Sequence, residues 1–173
     1  MKILLLTLGL GLVCGLQGLD NSAKGSPKLD GKWFTVALAS NVTSKIEEGG
    51  SLRIFVYNIR VYDGFLTADF FKRENGKCIP FSVTAITKED GSNLVHYDGL
   101  NDFSLESFDD EYSIFMLYNI KDGEVTIWGE LFGRTPDLPD EIKKKFEEIC
   151  ERFGIGKDQI RDLYNDDRCE KLR

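Results

Sequence analysis

The chain has 173 residues, 42% of them hydrophobic and 12% aromatic, with 22 basic against 29 acidic side chains and a formal net charge of −7. That length suits one domain. The acidic balance repels phosphate backbones and gains nothing from an anionic bilayer, which sets aside nucleic acid and membrane as partners.

The first segment reads as an export leader. Lys2 precedes an apolar run from Ile3 to Val13, too short to span a bilayer comfortably, and the small residues Gly15 and Gly18 follow. We read residues 1–18 as a signal peptide cleaved near Gly18, with a signal anchor as the alternative. The mature protein is then secreted, residues 19–173, and large enough to bury roughly 70% of its unfolded surface in one domain. Residues 19–29 are polar and read as a loose arm.

The stretch from Asp30 to Val36 opens the first β-rich run. Gly31 can take a strained backbone conformation at a strand start, and Trp33 is large enough to close one end of a core. About a hundred residues later Gly133-Arg134 ends the last strong strand. A barrel whose first and last strands are neighbours brings Arg134 onto the Trp33 face, a cation–π contact of roughly 0.5–2 kcal/mol. Gly31, Trp33 and Arg134 are therefore the expected barrel closure.

Between these ends, Asp63-Gly64, Asn75-Gly76, Asp90-Gly91, Asp98-Gly99 and Asp122-Gly123 interrupt β-rich runs, and Asp109-Asp110-Glu111 makes a further break. Asn-Gly and Asp-Gly supply the positive φ angles of tight hairpins. The cuts leave runs at 31–39, 51–62, 65–74, 77–88, 92–98, 102–108, 112–120 and 125–133, an antiparallel meander of eight strands. Several runs are apolar on both faces. A sheet closed around an interior, with a helix outside, needs that pattern. The fold expected is all-β: an eight-stranded antiparallel up-and-down barrel with a C-terminal α-helix packed on its outside. That helix follows Thr135-Pro136-Asp137-Leu138-Pro139-Asp140, with Ile142, Phe146, Ile149, Cys150 and Phe153 on one face and Gly154 as its stop.

Of four cysteines, Cys14 falls in the leader. Cys150 lies on the apolar face of the helix and reads as a buried free thiol, so Cys78 and Cys169 are expected to pair, closing a long loop worth roughly 4–5 kcal/mol in the chain-entropy model. Asn41-Val42-Thr43 is an N-glycosylation acceptor at Asn41. It precedes a long first loop containing Lys45-Ile46-Glu47-Glu48-Gly49-Gly50.

These features resemble the lipocalin family. The resemblance rests on Gly31-Lys32-Trp33, the Gly133-Arg134-Thr135-Pro136-Asp137 segment with its helix, the Cys78 to Cys169 spacing and the Asp166-Asp167-Arg168-Cys169 tail. Ala39-Ser40, Leu52-Arg53-Ile54-Phe55, Tyr97-Asp98-Gly99 and Lys121-Asp122-Gly123 are similar to the mammalian major urinary protein, salivary lipocalin and odorant-binding group. One motif departs: Ser107-Phe108-Asp109-Asp110 stands where the family usually has a Thr-Asp-Tyr type turn. The resemblance implies that the first loop folds over the open end of the barrel. It also implies a ligand cavity lined by Leu52, Ile54, Val56, Ala68, Phe70, Val83, Val95, Tyr97, Phe103, Phe115, Leu117, Trp128, Glu130 and Phe132. Period-two alternation separately puts each strand's members on one face. The alternative is a filled apolar core.

Two of these positions are polar. Tyr97 can orient a ligand through its hydroxyl or give that hydroxyl to nearby backbone. Glu130 must find a donor or stay protonated if it points inward, and a register slip would turn it outward. Phe132 stands where the urinary proteins carry a Tyr, which removes one polar anchor.

The expected function is secreted carriage of a small hydrophobic ligand: an odorant, a pheromone or a lipid-like molecule. The competing reading is a secreted protein signal or allergen-type protein recognised at its surface by a chemosensory or cell-surface receptor. The expected state is a monomer or weak homodimer. An enzyme is disfavoured. The single histidine, His96, is expected to point away from the interior, and with Cys78 and Cys169 paired there is no zinc-ligand cluster. No Gly-rich phosphate loop or nucleophile elbow occurs. No cofactor, metal or catalytic residue is expected.

Overall fold

The computed structural model describes residues 28–173; the expected signal peptide and most of the polar arm lie outside the described residues. The chain opens with β1 (Gly31–Lys32) and β2 (Phe34–Ser40), separated only by Trp33. A meander follows: β3 (Ile54–Tyr62), β4 (Phe65–Glu74), β5 (Lys77–Thr87), β6 (Asn93–His96), β7 (Leu100–Phe108), β8 (Tyr112–Lys121) and β9 (Glu124–Gly133). Helix α1 (Asp140–Arg152) and a short β10 (Ile160–Asp162) complete the regular elements. Each strand from β3 to β9 is antiparallel to the next, and hairpins at Asn75-Gly76 and Asp122-Gly123 place both turn residues at positive φ. The meander expected from the sequence is present.

The first expected strand divides at Trp33 for a physical reason. β1 pairs with β3, Gly31 opposite Ile59, whereas β2 pairs with β9, Phe34 opposite Gly133. One short stretch of backbone thus serves both ends of the meander and closes the sheet. The Trp33 N–H continues the ladder to Tyr57 O (3.2 Å), and the Thr35 hydroxyl accepts from Val56 N–H (2.8 Å). β10 adds beyond this frame on the free stretch of β2, Arg161 opposite Leu38.

Arg134 fixes the junction. Its guanidinium lies 3.6 Å from the Trp33 ring centroid and donates to the carbonyls of Lys28 (2.7 Å), Asp30 (2.9 Å) and Lys32 (2.7 Å). Trp33 is fully buried and donates its indole N–H to Leu29 O (2.7 Å). Gly31 has φ +109°, and a Cβ there would stand 3.3 Å from Arg134 Nη1. That position needs glycine both for its backbone and for room.

Two apolar clusters explain why strands are hydrophobic on both faces. One fills the interior. The other lies between the outer faces of β2, β8 and β9 and the helix, with Val36, Ile114, Met116 and Leu131 against Phe146, Ile149 and Cys150. At Gly129 a Cβ would stand 2.7 Å from Met116 Sδ and 3.3 Å from Phe146, so a bare backbone is what lets the helix side approach the barrel. The helix ends with Gly154 at φ +80°, Ile155 N–H donating to Cys150 O (3.0 Å) and Gly154 N–H to Glu151 O (3.0 Å), a Schellman stop.

Cys78 and Cys169 form a disulfide with Cα atoms 5.8 Å apart, and Cys150 is a buried free thiol. Ion pairs run alongside this bridge: Arg53 to Asp166 (3.1 Å), Arg73 to Asp167 (3.3 Å) and Arg73 to Glu48. They join the first loop, β4 and the C-terminal tail. Being partly solvated, they contribute little individually.

Two outcomes follow from this architecture. Burial pushes the Cys150 thiol up to about 12, so iodoacetamide should modify it only after denaturation, and unreduced peptide mapping should link Cys78 to Cys169; a linked peptide containing Cys150 would refute the pairing. Arg134→Ala removes the ring contact and three hydrogen bonds together, and should lower stability by about 1–4 kcal/mol in denaturant titration. Arg134→Lys should recover only part of that loss, because one ammonium cannot reproduce the planar fork.

Candidate functional site

Strand alternation aims every second side chain of β3 to β9 at the barrel axis. The inward residues leave a cavity that, measured as the space open to the centre of a water molecule, amounts to about 50 Å³. One water needs roughly 10–15 Å³ by that measure. The wall is built from Leu29; Ile54 and Ile59 of β3; Leu66, Ala68 and Phe70 of β4; Val83 and Ala85 of β5; and Val95 of β6. Tyr97, Asn101 and Phe103, then Phe115 and Leu117 of β8 and Trp128, Glu130 and Phe132 of β9, complete it.

Of the residues expected there from the sequence, Ile54, Ala68, Phe70, Val83, Val95, Tyr97, Phe103, Phe115, Leu117, Trp128, Glu130 and Phe132 stand in this wall. Leu52 and Val56 do not. Leu52 precedes β3 rather than lying in it, with its N–H bonded to Lys45 O (2.8 Å); it is fully buried, as Ile46 is. The loop carries these two side chains into the interior cluster and so plugs one end of the barrel. Val56 keeps the alternation of Ile54 and is fully buried in the interior cluster but outside the cavity wall; beyond it a bulge between Val56 and Asn58 resets the alternation, so that Ile59 rather than Asn58 takes the next place in the wall.

Leu66, Ala85 and Asn101 extend the period-two series of Ala68, Val83 and Phe103 by one step, a signal present in the sequence. Ile59 is hidden by the bulge, and Leu29 by its polar surroundings before the first strand.

The polar groups of the wall differ in what they hold. Asn101 is fully buried. Its amide donates to Tyr97 O (2.7 Å), and its oxygen accepts from Trp128 Nε1 (3.2 Å) and Asn119 Nδ2 (3.1 Å). The Tyr97 hydroxyl donates to Ser51 O (2.7 Å), which ties the cavity wall to the covering loop. Its proton is therefore committed to backbone, the second of the two roles open to it from sequence. Burial, aided by the carboxylates of Asp98, Glu74 and Glu130, raises its phenol well above the usual range.

Glu130 is 5% exposed and makes no hydrogen bond to any described residue; its Oε1 is buried and unpartnered. Burial alone pushes its acid up to about 8, so at neutral pH most molecules carry it protonated.

The rest of the loop is latched from outside. Lys45 Nζ donates to Thr126 Oγ1 (2.6 Å), Arg53 donates to Ile46 O (2.9 Å), and Arg161 pairs with Glu47 (2.7 Å). Asn41 is exposed, and its side-chain oxygen accepts from Ile127 N–H (3.0 Å). His96 is exposed, outside the wall.

Residues 30–167 match the pattern of the lipocalin / cytosolic fatty-acid binding protein family. Trichosurin of Trichosurus vulpecula is 42% identical, over 98% of this chain and 100% of its own length. Major urinary protein 4 of Mus musculus is also 42% identical, over 98% of each chain. The crystal structure of trichosurin with bound 4-ethylphenol superposes with a TM-score of 0.77 at 43% identity, covering 82% of this chain and 100% of that one. Bovine odorant binding protein in complex with undecanal superposes with a TM-score of 0.60 at 26% identity, covering 82% and 95%. With a family match across most of the chain and relatives this similar along their whole length, the chain belongs to the lipocalin / cytosolic fatty-acid binding protein family.

Proposed function

We propose that this protein is a secreted carrier of small, largely apolar molecules, taken into the barrel and covered by the loop at residues 41–53. The observation that carries the reading is the almost wholly apolar cavity inside the barrel, with Asn101 and Tyr97 already committed to the protein itself. The related structures hold 4-ethylphenol and undecanal, small and mostly apolar molecules, which supports an apolar guest for this wall. Secretion is supported by the leader-like start and by the disulfide, a bond that persists in oxidising compartments. In such a setting the exposed Asn41 is a glycosylation site.

The energetics suit modest affinity. A guest that buries roughly 250–300 Å² of apolar surface gains about 6–7 kcal/mol before association costs. Micromolar binding needs about 8 kcal/mol. Apolar contact alone falls short, and a hydrogen bond inside the cavity contributes about 1 kcal/mol more.

Native mass spectrometry of the protein from its source should show a copurified small molecule, and an apolar volatile should displace a fluorescent probe. Displacement by no apolar compound would reject carriage and favour recognition of the protein's own surface by a receptor. Two substitutions probe the geometry. Ala85→Leu fills the cavity and should weaken guests at least about tenfold, with a stability change within about 1–3 kcal/mol. Tyr97→Phe removes the bond from wall to loop, and should speed dissociation of alkanes and alcohols alike, measured by stopped-flow displacement; acceleration confined to oxygen-bearing guests would assign the hydroxyl to the ligand instead.

A further inference from the structure

The cavity contains one polar group with nothing to hold. Glu130 sits on β9 between Trp128 and Phe132 of the same face, opposite Leu38 on β2 and Phe115 on β8. All four neighbours are apolar. Tyr97, across the cavity, is the other titratable side chain in the wall, and its proton is directed at Ser51 O. No lysine, arginine or histidine lines the cavity among the described residues. A buried carboxyl left without a partner costs free energy, and such a group is rare enough to call for an explanation.

We propose that the Glu130 carboxyl is the hydrogen-bonding anchor of the cavity, donating its O–H to an acceptor oxygen on the guest. This inference rests on the carrier reading and names the ligand class: small neutral molecules with one carbonyl, ether or hydroxyl oxygen. They are selected over hydrocarbons of the same size, which leave the acid unpartnered, and over carboxylates, for which the cavity holds no cation. Burial supports this by keeping the acid protonated through neutral pH. The sign of the pH dependence follows. Below about pH 8 the donor is present; as pH rises through the acid's value the donor is lost, a buried charge appears, and preference for acceptor-bearing guests falls.

The test compares heptanone, heptane, heptanoate and heptylamine as competitors of a fluorescent naphthylamine probe, using the full mature chain at about pH 6 and about pH 9.5, well to either side of the acid's value. Wild type should prefer heptanone over heptane by about three- to tenfold at the lower pH, the worth of one net hydrogen bond, and lose that preference at the higher. Glu130→Gln keeps a donor that does not titrate, so the preference should survive at both pH values. Glu130→Leu should abolish it at both while retaining heptane; this variant removes a buried polar group, and circular dichroism checks its fold. Equal affinity for heptanone and heptane in wild type, or a preference that survives in Glu130→Leu, would overturn the anchor and leave carriage intact. Heptylamine as the tightest guest would make Glu130 an ion-pairing carboxylate and also overturn it. Failure of all four competitors would instead reject carriage itself.

Discussion

Closure of the sheet is the constraint on which the rest of the molecule depends. A meander of seven strands has two edges, and both are satisfied by one segment, β1 and β2, that changes partner at Trp33. Edge strands are a liability unless paired or covered. Here the pairing also creates the interior, because a closed sheet of this size turns half its side chains toward an axis. Arg134 lies on Trp33 where the change of partner occurs, and its bonds to three carbonyls hold the incoming chain. The cavity is thus a product of strand pairing, and the first loop adds two fully buried side chains, Ile46 and Leu52, to the interior cluster.

Much of this was legible from residue order alone. Turn dipeptides located the hairpins, because Asn-Gly and Asp-Gly have few other uses between β-rich runs. Alternation then gave each strand its faces, and double-sided apolar strands pointed to a helix outside. What was not legible has identifiable causes. The bulge near Tyr57 shifts β3 by one residue, bringing Ile59 into the wall in place of Asn58, and no residue type there announces it. Leu52 has the apolar character of a wall residue but belongs to the loop. Ile160-Arg161-Asp162 is too short to announce a strand, and only the neighbouring free stretch of β2 makes it one.

The polar residues of the site show the limit of inference from type. Sequence placed Tyr97 and Glu130 in one apolar setting and left two roles open for each. Tyr97 reaches backbone and becomes part of the lid's fastening. Glu130 reaches nothing within the described residues, and the absence of a nearby cation leaves desolvation to set its charge. Neither result is contained in strand periodicity; each depends on where a loop or an opposing strand happens to end. Asn101, by contrast, follows the alternation of β7, yet its amide is fully engaged by Tyr97, Trp128 and Asn119.

Gly129 sits between Trp128 and Glu130 on β9, facing away from the guest space and toward Met116 and Phe146. The barrel is one strand thick here, so the outer cluster acts as a mould pressed against the back of the cavity wall. A side chain grown at this position meets the end of Met116 and the Phe146 ring, so Met116 must turn aside, the helix lift or the strand bow inward. A residue outside the cavity wall thus bears on the space within it, through the strand it shares with Trp128 and Glu130.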